Sequence, residues 1–459
     1  MSGRSKEPAS VFPQYLAATA ANLATVTAGA ALGWTSPAQP KLEAGEDNEG
    51  WIVLSSEETS WIGSLTPAGS VIGPILVGLL ADRIGRKWTL LFTVCPALVS
   101  WIMLIFVDTL VLIYVARFIL GIAVGMVYAV APMYVGEIAE SRIRGALGSF
   151  LQLLVVTGYL FEYCVGPYVT YTHLAIVSGC VPVMFAVSFV LFPESPYYLL
   201  ARGRREEAAR ALQWLRGQSR AEVQEELDVI EAAVEEEMRN KSKLSDLIAT
   251  KGNTKALYLS LGLVTAQQFC GINAVLFYSQ SIFTSSAGSL GGAESTIIIG
   301  VVMLLSSGIT PLVVERLGRR LLLLASAVGM IIGLCVLGAY FYLLNNGTDV
   351  SGIRWLPVLS LVFYIIVYSF GFGSLTWAVV GELFASNVKS NGSALSASFC
   401  WFIGFFITKF YSNMATELGN HYTFWIFAAL TACSGVFVYL LLPETKGKSL
   451  QQIQMILNR

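Results

Sequence analysis

Charge is what this sequence lacks most. Asp, Glu, Lys and Arg make up 13% of its 459 residues, against about 25% in an ordinary soluble domain. A soluble chain of this length would fold as two or three domains and would need far more polar surface to meet water. Histidine is nearly absent, with only His173 and His421, both in or near loops. The seven cysteines stand singly, and Cys95, Cys180, Cys335 and Cys433 lie inside apolar runs. No CxxC pair or histidine cluster offers a zinc or redox site, and the odd count gives no disulfide framework. They read as small apolar packing residues. There is no nucleophile paired with a base and no phosphate loop, so an enzyme is not expected, nor is a cofactor or a metal. The net charge of −1 gives no sign of a nucleic-acid partner.

What is present is apolar: 55% of the residues. A helix needs about 20 such residues to cross a hydrocarbon core. Runs of that kind appear near 14–36, 60–81, 88–107, 110–134, 145–166, 174–193, 256–284, 295–315, 320–344, 356–382, 394–416 and 422–442. The first run is too long for a signal peptide and lacks a cleavage site, so it reads as a retained span. The expected fold is therefore an all-α membrane protein of twelve transmembrane helices in two groups of six.

Basic residues orient it, because Lys and Arg stay on the cytoplasmic side. Odd-numbered connections carry few cations, Lys41 in one and Arg354 in another. Even-numbered ones hold Arg83, Arg86 and Lys87, then Arg142 and Arg144, then Arg316, Arg319 and Arg320. Both termini are expected in the cytoplasm. Between spans six and seven, about Tyr197 to Lys255, the chain becomes rich in Glu, Arg and Ala. Ser219 and Glu222 form a capping box there, and Val223, Leu227, Ile230, Val234 and Met238 recur every three to four residues. That spacing predicts an amphipathic helix lying on the cytoplasmic face. The division that follows is 1–196 for one six-helix unit, 197–255 for the linker and 256–459 for the second unit with its tail.

An internal repeat relates the two units. Ala81-Asp82-Arg83-Ile84-Gly85-Arg86-Lys87 after span two matches Val314-Glu315-Arg316-Leu317-Gly318-Arg319-Arg320 after span eight. Gly136-Glu137-Ile138 matches Gly381-Glu382-Leu383, and Pro193-Glu194-Ser195 matches Pro443-Glu444-Thr445. Three motifs in the same order in each half are what a transporter built of two parallel repeats contains. They place Arg83, Arg86, Glu137, Arg144, Glu194, Glu315, Arg319, Glu382, Lys389 and Glu444 at the cytoplasmic ends of helices. Pairs among these charges can form when the halves close on that side and separate when they open. At about 0–1 kcal/mol each, half-exposed pairs suit a gate that must open. A static charge belt is the alternative for any one motif taken alone.

These motifs resemble those of the sugar porters of the major facilitator superfamily over nearly the whole chain. The residues that carry the resemblance are Asp82 to Lys87, Pro132-Met133-Tyr134-Val135-Gly136-Glu137-Ile138 with Arg144-Gly145, Pro193-Glu194-Ser195-Pro196, Gln267-Gln268-Phe269-Cys270-Gly271-Ile272-Asn273-Ala274 and Pro443-Glu444-Thr445-Lys446-Gly447. Ala31 to Pro37 in span one, Trp401 with Thr408-Lys409 in span eleven, and the sequon Asn346-Gly347-Thr348 resemble the class III facilitative glucose transporters and the insect facilitated trehalose transporters.

The resemblance implies a sugar site near the midplane, with Gln152, Gln267, Gln268, Asn273 and Trp377 on matching positions. Amides both donate to and accept from sugar hydroxyls, and an aromatic face covers the apolar side of the ring. Amides also hold helices together in lipid, so each alone is ambiguous. The chain departs from the pattern at Met303, Cys400 and Ser369, where the family usually has Asn, Asn and Glu. Span ten also reads Gly371-Phe372-Gly373-Ser374-Leu375-Thr376-Trp377, without the usual prolines.

Proton-driven relatives generally carry an Asp beside the glycine that matches Gly29, but here the stretch is Gly29-Ala30-Ala31-Leu32-Gly33. Glu162 and Lys409 remain as intramembrane charges, and both are expected to snorkel toward the exterior. The expected activity is facilitated, uncoupled transport of a neutral hexose or trehalose across a plasma membrane, for which one copy suffices. A proton-coupled symporter using Glu162 and a non-transporting sugar sensor are the alternatives.

Overall fold

The computed structural model describes residues 10–45, 53–140, 142–239, 243–314, 318–385, 387–446, 448 and 450–458. A bilayer core offers the backbone no hydrogen-bond partner, so a crossing segment must satisfy its amides internally. The described chain does so with twelve helices: Phe12–Ala44, Ser56–Ile84, Arg86–Ile105, Leu110–Ile138, Arg144–Tyr168, Tyr171–Phe189, Lys251–Ser285, Gly292–Pro311, Arg319–Asn345, Ser351–Leu383, Lys389–Glu417 and Asn420–Leu441. We refer to them as spans one to twelve. Each expected apolar run falls in one of them.

Many run past the apolar stretch because polar ends are capped. Span two starts with Ser55 and Glu58 in a reciprocal box, and the Thr250 hydroxyl accepts the Asn253 amide at 3.1 Å ahead of span seven. Large apolar side chains such as Ile75, Val111 and Val187 are exposed on the outer surface, where hydrocarbon would solvate them.

Packing repeats in the two halves. Span one lies against spans four, five and six, and span four against two and three. Span seven lies against eleven and twelve, and span nine against ten and twelve. The halves meet chiefly where span two packs on span eleven, span five on span eight, and span one on span seven.

The interruptions of spans seven and ten position the site. In span seven the helix stops at Phe269 and restarts at Ile272, through Gly271 at φ +82°. An added Cβ there would also sit 2.9 Å from the Phe427 ring, so glycine is required twice over. In span ten, Ser369–Gly373 forms a π-helical turn between Leu356–Tyr368 and Ser374–Leu383. Without its prolines the helix still breaks, since two glycines weaken it and the π turn supplies the irregularity.

The segment after span six is more than the one amphipathic helix expected. Helices Pro196–Ala201, Arg205–Arg216 and Arg220–Arg239 share a small apolar core that includes Leu200, Leu212 and Leu227. Val223, Leu227, Ile230 and Val234 are buried in it, but Met238 is 45% exposed because the helix outlasts its partners by a turn. Arg216 ties this unit to span four, donating to the Ile138 carbonyl at 2.9 Å and to Glu226 at 2.7 Å.

Candidate functional site

The break in span seven gathers three amides. Asn273 Nδ2 donates to Gln268 Oε1 at 2.7 Å, and Gln268 Nε2 reaches Cys400 Sγ of span eleven at 3.1 Å. Gln267 Nε2 donates to the Phe372 carbonyl at 2.8 Å and approaches the Tyr368 hydroxyl at 3.4 Å. Phe372 belongs to the π turn, whose altered register presents a carbonyl to a side chain. The helix of span seven is not continuous, and it is the turn at Gly271 that brings Asn273 back onto Gln268. All three amides are at most 8% exposed.

Gln152, half-buried on span five, and Trp377, 39% exposed on span ten, make no hydrogen bond or ring contact with this cluster among the described residues. Around it stand aromatic rings from both halves. Tyr128 of span four meets Trp401 of span eleven edge to face, with centroids 5.3 Å apart. Tyr163 of span five donates to the Leu276 carbonyl of span seven at 2.6 Å. Cys400, next to Trp401, occupies the Gln268 amide in place of an asparagine.

At the face that bears the termini, the repeated motifs build two matching charge clusters, each within its own half. In the first, Arg86 Nε donates to Glu137 Oε1 at 2.9 Å and its Nη1 reaches Asp82 at 3.4 Å, while Ser195 Oγ donates to Glu137. Glu194 accepts the backbone amides of Arg86 at 3.1 Å, Lys87 at 3.0 Å and Ser195 at 2.8 Å. In the second, Arg319 Nη2 lies 3.3 Å from Glu382 Oε1, and Glu444 accepts the amides of Arg319 at 3.0 Å and Arg320 at 3.1 Å.

Glu194 and Glu444 thus sit on the positive ends of spans three and nine. Burial pushes the Glu194 carboxyl up, against the pull of those amides. Burial also acts most strongly on Glu444, but the amides of Lys446, Arg320, Arg319 and Thr445 together outweigh it, and the carboxyl lies below its ordinary value. Only glycine lets the carboxylates in: a Cβ on Gly85 would lie 2.3 Å from Glu194 Oε2, and one on Gly318 2.6 Å from Glu444 Oε2. Arg83, Arg144 and Lys389 are exposed. Arg144 donates to the Ala139 carbonyl at 3.3 Å. Glu315 lies outside the described residues. Among the described residues, no ion pair of these motifs joins the two halves.

The halves are instead joined at the opposite face. Lys409 of span eleven, 6% exposed, donates to Glu57 Oε1 at 2.7 Å and to Ser60 Oγ at 2.8 Å, both on span two. Its ammonium also lies 4.7 Å from the centroid of the Trp61 ring, which in turn meets Phe405. Nearby, the Gln280 backbone N–H donates to Ser36 Oγ at 3.2 Å, linking spans seven and one.

Lys409 therefore does not snorkel outward, because a partner across the interface satisfies it where it lies. Nor does Glu162. Its side chain is fully buried, accepts Ser178 Oγ at 2.6 Å through Oε1, and has no partner for Oε2. Near it lies Arg117 of span four, 0% exposed, a charge not singled out from the sequence. Arg117 donates to the carbonyls of Ile62 at 3.2 Å and Ala31 at 3.0 Å and to Thr35 Oγ1 at 2.9 Å, over the Trp34 ring at 4.8 Å. A lone arginine in the middle of an apolar run was the available signal, since intramembrane charge is rare without a purpose.

Comparison with known proteins agrees with this architecture. The family described as "Sugar (and other) transporter" matches residues 14–457. The facilitated trehalose transporter Tret1 of Bombyx mori is 36% identical over 445 residues, covering 97% of this chain and 87% of the relative. That of Culex quinquefasciatus is 35% identical over 444 residues, covering 96% and 85%. Among solved structures, the inward-open conformation of the xylose transporter of E. coli superposes with a TM-score of 0.79 at 23% identity, covering 97% of this chain and all of that one. A proton:xylose symporter bound to a halogenated deoxyglucose gives 0.75 at 22% identity, covering 97% and 98%. Identities this low speak to the fold, which is that of the major facilitator superfamily.

Proposed function

The chain belongs to the family of sugar (and other) transporters, and from that premise we propose that it moves a neutral sugar, hexose or trehalose, down its gradient by alternating access. The observation that carries the mechanism is the asymmetry of the interface. Lys409 and Glu57 bind the halves together at one face, while the charge clusters at the other stay within their own halves. A protein closed at one face and unpaired at the other has the form of a carrier caught on one side of its cycle.

The positive-inside rule makes the termini face cytoplasmic, so this state is closed outside. Units 1–196 and 256–459 rock about the central site, and segment 197–255 links them. When the inner face closes, Arg144 and Lys389, exposed here, move toward carboxylates of the other half, among them Glu444 and Glu194. Sugar hydroxyls take up the amides of Gln267, Gln268 and Asn273, with Trp377 contributing from span ten of the same half and Gln152 arriving from the other half as the halves close.

Radiolabelled uptake of a small sugar panel into proteoliposomes tests this reading. Saturable uptake that ignores a pH gradient is expected, because the Gly29–Gly33 stretch has no carboxylate. One observation favours the proton-linked alternative: Glu162 is a buried carboxylate with an open oxygen. Accumulation driven by an inward proton gradient, and lost in Glu162→Gln, would establish that alternative. Binding without uptake would establish the sensor.

Two further results are expected. Replacing Lys409 by methionine keeps the apolar stem but removes the outer latch. An ion pair with one exposed partner plus a cation–π contact is worth about 1–2 kcal/mol, a roughly five- to thirtyfold shift toward the outward-facing state. A cysteine placed at the buried Ser64 should then react faster with an impermeant thiol reagent added outside; an unchanged rate in Lys409→Met would remove the latch.

Asn346 lies exposed on the connection after span nine, whereas the sequon at Asn391 falls at the start of span eleven, and that at Asn240, expected in a cytoplasmic connection, lies outside the described residues. In a eukaryotic secretory pathway only Asn346 should carry glycan. Retention of a glycosidase-sensitive mass by Asn346→Gln would reverse the proposed orientation.

A further inference from the structure

We infer that Tyr128 is a specificity determinant of the central site, one that limits the transported sugar to a single ring. The inference rests on the sugar-carrier reading and adds to it the size class of the substrate. Tyr128 comes from span four, in the first half, and its ring meets Trp401 of the second half at 5.3 Å between centroids and 72° between planes. Trp401 follows Cys400, whose sulfur holds the Gln268 amide, so the ring pair lies directly alongside the amide cluster.

The same region collects phenols. The hydroxyls of Tyr128, Tyr159 and Tyr368 and the thiol of Cys400 lie within electrostatic reach of one another. Tyr368 already takes part in the Gln267 bond. The hydroxyls of Tyr128 and Tyr159 make no hydrogen bond among the described residues, although Tyr159 is buried and Tyr128 half-buried. Two phenols without a hydrogen-bond partner thus lie near three amides. Each offers a flat apolar face and one group that both donates and accepts. That pairing suits a pyranose, with its apolar CH face and rim of hydroxyls. It also stands in for the amide and carboxylate groups that Met303, Ser369 and Cys400 do not supply.

Size follows from the ring contact. Tyr128 and Trp401 meet across the interface of the halves, next to the residue that holds the Gln268 amide, so by this inference their edges set the limit on what can lie against the amides. One sugar ring can lie against them. The second ring of a disaccharide would have to stand where the two side chains meet, and the halves could not close around it. Removing the Tyr128 ring opens that space, while removing only its hydroxyl leaves the boundary in place.

Uptake of radiolabelled glucose and trehalose into proteoliposomes, for wild type, Tyr128→Ala and Tyr128→Phe, tests this. Wild type is expected to carry glucose at least about tenfold better than trehalose, the scale on which pocket shape discriminates. Tyr128→Ala should raise the trehalose-to-glucose ratio about tenfold. Tyr128→Phe should keep the ratio and raise KM for glucose severalfold. Equal wild-type handling of the two sugars, or an unchanged ratio in Tyr128→Ala, overturns the inference but leaves the carrier intact. Uptake of neither sugar by wild type sinks both. Where Tyr128→Ala does not fold, competition in wild type decides: trehalose must inhibit glucose uptake at least about tenfold more weakly than glucose itself, and equal potency overturns the proposal.

Discussion

Replacing Arg117 by alanine is expected to cost the folded protein about 3–5 kcal/mol, the usual penalty for removing one member of a buried, hydrogen-bonded charge network. The side chain is fully buried where the end of span one away from the termini meets spans two and four. Its three donors satisfy the carbonyls of Ala31 and Ile62 and the hydroxyl of Thr35, next to the turn at Trp34. Alanine would remove three hydrogen bonds from a charged donor in a region that excludes water. It would also empty the space over the Trp34 ring and strip the buried Glu162 carboxyl of its nearby cation. Lysine should rescue only part of this, because one ammonium on a flexible stem cannot reproduce a planar fork reaching three acceptors. Thermal unfolding in detergent checks the order wild type, Arg117→Lys, Arg117→Ala. An alanine variant that melts with wild type would show that Arg117 is not what holds spans one, two and four together.

The second large effect is expected at Gln267. Its amide is bonded to the Phe372 carbonyl of the π turn, so the side chain has two candidate occupations, a helix tie and a sugar ligand. If sugar takes over the amide, Gln267→Ala removes one or two bonds to hydroxyls and weakens binding by about 1–3 kcal/mol, roughly ten- to a hundredfold. The stability loss should stay near one ordinary hydrogen bond, about 1 kcal/mol. We expect that pattern, read by sugar-induced thermal stabilisation against the melting point without sugar. The opposite pattern, a marked loss of stability with sugar affinity unmoved, would make Gln267 a strut between spans seven and ten. The same pair of measurements on Gln268→Ala and Asn273→Ala separates ligand from glue across the cluster.

The amides at the centre were legible because polar side chains are conspicuous in an apolar span. How they meet was not. Gln268 and Asn273 are five apart, a spacing that does not superpose on one helix, and they bond only because Gly271 turns the chain. The repeated charge motifs were legible as well, but their pairing was not. Glu194 and Glu444 read as cross-half partners for arginines, whereas in this state they cap the helices that follow Gly85 and Gly318 in their own halves. The latch at Lys409 was hidden for a related reason: its partner Glu57 lies 352 residues away.

The sequence by itself determined the twelve spans and their grouping. Those properties are sums over local composition and repetition, and a bilayer converts about 20 apolar residues into a crossing helix wherever they occur. Only the tertiary structure decided which charges are buried and which face is closed. It also decided which aromatic rings bound the site. Each of these depends on how helices rotate and cross when their surfaces interlock. Arg117, Glu162 and Lys409 are equally polar on paper, yet one is held by carbonyls, one by a single serine hydroxyl and one by a carboxylate in the other half. The partners differ because burial leaves each charge only the groups that packing brings within hydrogen-bond reach.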